Sequence, residues 1–370
     1  MTTARPPRAV GHLAFVIPHP YVDALACFRE PIQYLAAEGW HVDLYTVLSP
    51  MHPPPVFDHE RVRLIPLDVS RAGLIRLLGR LLLHRPRYRG IVSVPQWGLH
   101  YCGLAARLAR IPMGCISDEL KADSEATTPE QRRWKERERR AHRRCRWTIA
   151  LSRERADFVR KEHELGADHP IFIVPNAKAG ASRRVPSRYF HEALGLPPDQ
   201  RILIHAGSLW WTGAAELIAA AQGWSGDWVV VFQVRLVDGS QLRPSSAHVR
   251  FSDRVLPAAA LDAAVSSASI GLALYDTSIL NNRLMGTASG KVLLYMKNGL
   301  PVITTRAGGF DWIEREGCGV CVSHVGEIPA AADRIWSQYE RYARNVQRYY
   351  DEALEFGRRF QPVADLLRAS

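Results

Sequence analysis

Ser289, Gly290 and Lys291 open a helix-patterned run, GKVLLYMK, set between two short apolar runs at 270–275 and 301–304. At a helix start the first backbone N–H groups lack intrahelical partners and the dipole turns its positive end outward, so an anion is stabilised there. A lysine in the first turn opposes that dipole and has little structural reason to be there, whereas its ammonium would hold a phosphate. A second candidate is the carboxylate pair Asp118-Glu119, directly after the apolar run 112–117. In an open parallel sheet ligands gather beyond the carboxyl ends of the strands, where a carboxylate can orient a hydroxyl or take its proton. The same two residues also suit a helix start, an Asp cap followed by a first-turn Glu, and both readings stand at this point. His19 either lines a site or only makes a turn. Gly308-Gly309 either brings backbone close to a ligand or forms a plain strand-to-helix turn.

These residues need a scaffold, and the chain supplies strand-type and helix-type segments in alternation. A strand is expected at 12–18, a helix at 22–37 and a strand at 41–47, which is a βαβ opening. Further strands fall at 62–67, 90–94, 112–117, 147–151 and 171–175, and Thr128-Pro129-Glu130 is a strong helix start. The Gly-, Ser-, Arg- and Pro-containing stretch 178–200 reads as a linker. A second alternating series then begins at 201 and ends in helical segments at 328–343 and 346–360. Strands separated by crossover helices form parallel sheets, so the expected class is α/β with two doubly wound, Rossmann-like sheets.

The 370 residues suffice for two such domains, and 47% hydrophobic with 23% charged residues is a globular composition. A net charge of +11 favours acidic partners: nucleotide phosphates, an anionic membrane surface or nucleic acid. Segment 72–83, AGLIRLLGRLLL, is apolar nearly all round and accompanied by Arg71, Arg76, Arg80, Arg85, Arg87 and Arg89. It fits either a buried helix of the sheet or an interfacial helix with its arginines on anionic lipid. The arginine-dense run after Thr128 is mixed with glutamates and poor in aromatics, which suits a solvated helix and argues against nucleic acid as partner. The apolar run near the N-terminus is broken by Pro18, too short for a leader or a membrane span, so a cytoplasmic location is expected, with the inner membrane face as a peripheral site. Cys318 and Cys321 form a lone C-x-x-C without a second pair and read as core thiols, like Cys27, Cys102, Cys115 and Cys145. There is no P-loop, HExxH, GxSxG or EF-hand pattern.

The stretch SIGLALY…NN…SGKVLLYMKNGLPVITTRAGG resembles the signature region of family-4-like glycosyltransferases of the GT-B fold, the type that builds bacterial polysaccharides and glycolipids. The segment ALSRERADFV…IFIVPNA resembles a second landmark of that family, with Ala177 where a glycine is usual. The resemblance implies two Rossmann-like domains facing a cleft: an acceptor-binding domain at 1–178, a nucleotide-sugar-binding domain at 179–345 and a helix at 346–370 crossing back. It implies transfer of a sugar, of the hexosyl type, from a nucleoside-diphosphate donor to a glycan, lipid-linked or small-molecule hydroxyl, with retention of anomeric configuration. Ser289, Gly290 and Lys291 would take the diphosphate, Tyr275, Asn281 and Asn282 would line the donor pocket, and Asp118 with Glu119 would meet the acceptor. In the family a GSLxxxKG loop wraps the phosphates; here it reads GSLWWTG, leaving Gly207 and Ser208, with Arg235 as a replacement cation. No Asp-x-Asp metal clamp occurs, so no metal and no cofactor is expected beyond the donor itself. Leu294 stands where the family carries a ribose-binding glutamate. A GT-B sugar-nucleotide epimerase or phosphorylase, or a non-catalytic scaffold with a degraded donor site, is the alternative.

Overall fold

The computed structural model describes residues 10–50, 54–57, 59–84, 86–95, 97–207, 209, 213–224, 226–234 and 246–369. The chain divides into two compact units, one running to Ala179 and resuming at Phe356, the other Gly180–Glu355.

In the first unit seven parallel strands, β1 (Gly11–Ile17), β2 (Trp40–Thr46), β3 (Val62–Pro66), β4 (Tyr88–Ser93), β5 (Met113–Ser117), β6 (Trp147–Ala150) and β7 (Ile171–Ile173), lie in the order β3-β2-β1-β4-β5-β6-β7. Strands covered on both faces carry unbroken apolar runs, and Leu13 to Ile17 are all buried accordingly. The connecting helices are α1 (Ala26–Ala37), α2 (Arg71–Leu83), α3 (Trp97–Ala109), α4 (Pro129–His142) and α5 (Arg153–Glu162). α2 packs on α3 and α3 on α4, as right-handed crossovers leading away from β1 require. α4 begins where the sequence places it, with Thr128 Oγ1 accepting from the Gln131 amide at 3.2 Å.

Between α4, α5 and β6 runs a buried polar chain. The Lys135 ammonium lies 3.5 Å from His163 Nε2, the Nδ1 atoms of His163 and His142 are 2.5 Å apart, and Thr148 Oγ1 is 2.8 Å from both His142 Nε2 and His169 Nε2. The Glu138 carboxylate also lies 3.5 Å from His163 Nε2, so that nitrogen either accepts from Lys135 or donates to Glu138, and the protons along His142, Thr148 and His169 run one way or the other with every imidazole neutral.

The second unit has six parallel strands, β8 (Arg201–Ala206), β9 (Trp228–Gln233), β10 (Val249–Ser252), β11 (Ile270–Ala273), β12 (Val302–Thr305) and β13 (Gly319–Val322), in the order β10-β9-β8-β11-β12-β13. Its helices are α6 (Tyr189–Leu194), α7 (Ala214–Gln222), α8 (Ala258–Ser266), α9 (Leu280–Arg283), α10 (Gly290–Lys297), α11 (Asp311–Arg315), α12 (Ile328–Trp336) and α13 (Tyr339–Tyr349). The order reverses between β8 and β11. At such a switch point the loops after the two strands part in opposite directions and leave a crevice at their carboxyl ends.

The terminal helices break elsewhere than expected. A kink at Ser337-Gln338 separates α12 from α13, and a π-helical turn, Tyr350–Leu354, follows before α14 (Phe356–Ala369). The return to the first unit therefore falls at Phe356, and residues 346–355, expected in the crossing helix, belong to the second unit. α14 packs on α1 through Tyr34, whose ring meets those of Phe356 and Phe360 at 6.0 and 5.4 Å and whose hydroxyl donates to Gln361 at 2.5 Å. All six cysteines are buried and free. No helix among the described residues is long and apolar enough to cross a membrane.

Candidate functional site

In the second unit the site forms where β8 and β11 end side by side. α10 starts at Gly290, capped by Ser289, whose Oγ accepts from the Val292 amide at 3.1 Å and lies 2.5 Å from the Tyr275 hydroxyl. The cap takes the Val292 amide, and Gly290 and Lys291 supply the other amides of the opening turn, which face out along the axis. Lys291 reaches back from that turn to place Nζ 5.7 Å from the centre of the Tyr275 ring, a cation–π contact. Its stem passes Gly207, the first residue after β8. Gly207 sits at φ +108°, where L side chains are strained, and a Cβ there would lie 3.1 Å from Lys291 Cε. Burial lowers the Lys291 ammonium to about 8, because leaving water disfavours the charged form.

A tyrosine that sequence reasoning missed fixes this geometry. Tyr295, one turn beyond Lys291 on α10, accepts from the Ala206 amide at 2.8 Å and donates to the Leu272 carbonyl at 3.0 Å. One hydroxyl thus ties the end of β8, β11 and the helix that carries the lysine. Its ring lies on Gly271, where a Cβ would fall 2.2 Å from the ring. The signal in the sequence is a tyrosine four residues after the lysine, but only the pairing of β8 with β11 gives it meaning.

Tyr275 is held by its own amide, which donates to Thr305 Oγ1 at 2.9 Å, and by stacking on Phe310 at 5.6 Å. Asn282 is buried and donates from Nδ2 to the Asp276 carbonyl at 3.0 Å, so it braces the loop after β11. Asn281 sits beside it in α9, half-buried. Gly309 packs against backbone, a Cβ there falling 2.9 Å from the Gly286 nitrogen, while one at Gly308 would meet open space. The close approach at the Gly-Gly turn is therefore internal at Gly309. The structure brings together Gly207, Tyr275, Ser289, Gly290 and Lys291. Ser208 and Arg235 lie outside the described residues.

In the first unit Asp118 and Glu119 follow the carboxyl end of β5 in a loop. They cap no helix: the next elements are a 3-10 turn, Asp123–Glu125, and then α4 at Pro129, so the capping alternative is overturned. The buried Arg155 donates a guanidinium N–H to the Asp118 carbonyl, fixing the loop from α5, whose own cap is Ser152 Oγ accepting from the Arg155 amide at 3.2 Å. Nothing in the polar pattern of that helix marks this arginine as buried. The Asp118 carboxyl is pushed up to about 7, first by burial and then by the neighbouring charge of the exposed Glu119. Such a group exchanges a proton near neutral pH, which an ordinary aspartate does not. Close by, Cys27 donates its amide to Asn176 Oδ1 at 2.8 Å, tying the start of α1 to the loop after β7, while burial pushes its thiol well up. His19 is a turn residue by its bonds: Nδ1 accepts from the Tyr21 amide at 3.1 Å and its carbonyl accepts from Thr46 Oγ1 at 2.6 Å.

No family model matches the sequence, and no curated protein matches it either. Among solved structures the chain is similar to a glycosyltransferase of Rickettsia africae, at 9% identity over 97% of this chain and 98% of that one, with a TM-score of 0.73. It is similar to HepE of Anabaena in complex with UDP and glucose, at 14% identity over 97% and 99% of the two chains, with a TM-score of 0.69. A third is the sucrose-phosphate synthase of Thermosynechococcus elongatus, at 17% identity over 97% and 98%, with a TM-score of 0.68. At these identities the likeness establishes the fold: two parallel, Rossmann-like sheets of the GT-B kind.

Proposed function

We propose that this chain is a glycosyltransferase that moves a sugar from a nucleoside-diphosphate donor to an acceptor hydroxyl. The observation that carries the reading is the convergence of Lys291, the capped start of α10 and the glycine backbone of position 207 at the switch point of the second sheet. That arrangement suits a diphosphate leaving group, since it aims amides and an ammonium where negative charge grows as the sugar departs. Two similar structures, of HepE in complex with UDP-glucose and with UDP, hold such ligands, which makes uridine the first base to test.

In this reading Lys291 and the opening turn of α10 neutralise the diphosphate without a metal ion, and Tyr275 with Asn281 lines the donor pocket. Asp118 receives the proton of the acceptor hydroxyl, while Glu119 keeps the Asp118 carboxyl basic. Retention of anomeric configuration and membership of family 4 are part of the proposal and rest on the sequence resemblance. So does the acceptor class: a glycan, lipid-linked or small-molecule hydroxyl. Leu294, half-buried on α10 where the family has a carboxylate, favours a second reading, a non-catalytic scaffold with a weakened ribose contact.

Thermal unfolding of the protein with UDP, GDP, ADP or dTDP and their sugars, without metal, tests the proposal. Ligand at a hundred times its dissociation constant adds about 2.7 kcal/mol of stability. A shift with one diphosphate that Lys291→Ala abolishes supports the site. No shift with any of them in folded protein refutes it. Binding without release of diphosphate over a panel of acceptors points to the scaffold, and turnover of the sugar nucleotide without any acceptor points to an epimerase.

A further inference from the structure

Helices α2, α3 and α4 lie side by side on one face of the first sheet. The core takes Gly73, Leu77 and Leu81 from α2, with Leu78 and Leu82 packed partly against it, yet the side turned to solvent carries Ile75 and Leu83, 71% and 73% exposed. The outer side of α3 adds Leu104 and Leu108, 46% and 55% exposed. A single exposed leucine needs no explanation. Four large aliphatic side chains on adjoining helices, at spacings that put them on the outward stripes, amount to a surface.

Cations surround them. Arg71 and Arg80 flank Ile75 on the exposed side of α2, where Arg76 pairs with the Asp68 carboxylate, and Arg107 and Arg110 flank Leu108. Beyond α3, the surface of α4 presents a hollow lined by Arg132, Arg133, Arg137 and Arg140, with Glu136 as the one acid lining it. Arginines interleaved with protruding aliphatics match an interface whose outer layer is anionic and whose next layer is apolar. A nucleic acid would use the arginines but offers nothing to Ile75, Leu83, Leu104 and Leu108, and Trp134 on α4 is half-buried with Arg137 over its ring, so it presents no open face for a base.

We propose that the outer face of α2 and α3, continued by the arginines of α4, docks on an anionic lipid bilayer. The four aliphatic side chains enter the headgroup layer and the guanidinium groups pair with lipid phosphates. This goes beyond the glycosyl-transfer reading and does not depend on it.

The test is co-sedimentation of the full chain with phosphatidylcholine vesicles, with and without about one third phosphatidylglycerol, at low and high salt. The expected result is binding to the anionic vesicles only, weakened by salt. Arg71→Gln/Arg80→Gln/Arg107→Gln should lower the partition constant on the order of a hundredfold, about fivefold per arginine near the surface. Ile75→Ser/Leu83→Ser/Leu104→Ser/Leu108→Ser should lower it by at least tenfold in anionic vesicles. All seven positions are exposed, so circular dichroism and thermal midpoints should match the parent; if the serine variant does not fold, the glutamine variant carries the test. Absence of vesicle binding, equal binding to neutral vesicles, or binding that neither variant reduces overturns the proposal. Binding to RNA or DNA unaffected by the serine substitutions, with none to vesicles, overturns it in favour of nucleic acid.

Discussion

A Cβ at position 207 would lie 3.1 Å from Cε of Lys291, so the end of β8 and the stem of the lysine share a space that glycine leaves open. Gly207→Ala therefore does two things. It strains a backbone at φ +108°, costing about 1 to 3 kcal/mol of stability, and it pushes the ammonium aside. Diphosphate affinity should fall at least tenfold, as expected when a charged group loses its position. Calorimetric titration with the diphosphate found in the thermal screen measures this; unchanged affinity would mean that the lysine does not meet the phosphates.

Activity should have a narrow pH window. Asp118 acts as a base only when ionised, above about 7, and Lys291 is a cation only below about 8. The profile of kcat/KM, which reports the free enzyme, should be a bell between these values. Lys291→Arg should extend its alkaline limb, since a guanidinium keeps its charge there.

The raised carboxyl also bears on stability. A folded-state value above the unfolded one means that folding favours the protonated form, a contribution present below the unfolded pKa and lost as pH rises through about 7. Asp118→Asn should thus stabilise the protein by about 2 to 3 kcal/mol more at pH 8 than at pH 5, while abolishing transfer. Urea midpoints at the two pH values check the sign.

The buried histidine chain gives the opposite slope on the acid side. Burial holds His142 well below the ordinary histidine range and His163 at about 3, and a further proton would set two donors face to face across 2.5 Å. Depressed histidines contribute stability that is full above the unfolded value near 6.5 and declines as pH falls below it. The loss should be about 1.5 kcal/mol per histidine between pH 6.5 and 5, seen as falling denaturant midpoints. In the Asp118→Asn variant, which lacks the opposing slope of the raised carboxyl, a flat midpoint over that range would contradict the neutral chain.

How much of this was legible in the sequence depended on how local the interaction is. The start of α10 at Ser289 and of α4 at Thr128 could be read because a cap and its amide lie three residues apart. The parallel sheets could be read because strands buried on both faces are apolar throughout. Tyr295 and Arg155 could not, since their partners, Ala206, Leu272 and Asp118, come near only when particular strands pair. The capping reading of Asp118-Glu119 failed for a related reason: a favourable dipeptide needs a helix after it, and the chain delays that helix to Pro129.

Two glycines of α2 look alike in the sequence and should behave oppositely. Gly79→Ala fills open space and should stabilise the helix by up to about 1 kcal/mol. Gly73→Ala would set a Cβ 2.1 Å from the Asp68 carbonyl oxygen, and overpacking against backbone should cost about 3 kcal/mol. Thermal midpoints of the two variants separate these outcomes.

The return of α14 to the first unit has a consequence during synthesis. The second unit, Gly180–Glu355, is one uninterrupted segment and can close as soon as it leaves the ribosome. The first unit cannot: the ring of Tyr34 waits for Phe356 and Phe360, more than three hundred residues later. Until then the apolar side of α1 is uncovered, an opening for chaperones. Stopping the chain at Glu355 should therefore cripple the half of the protein that was made first.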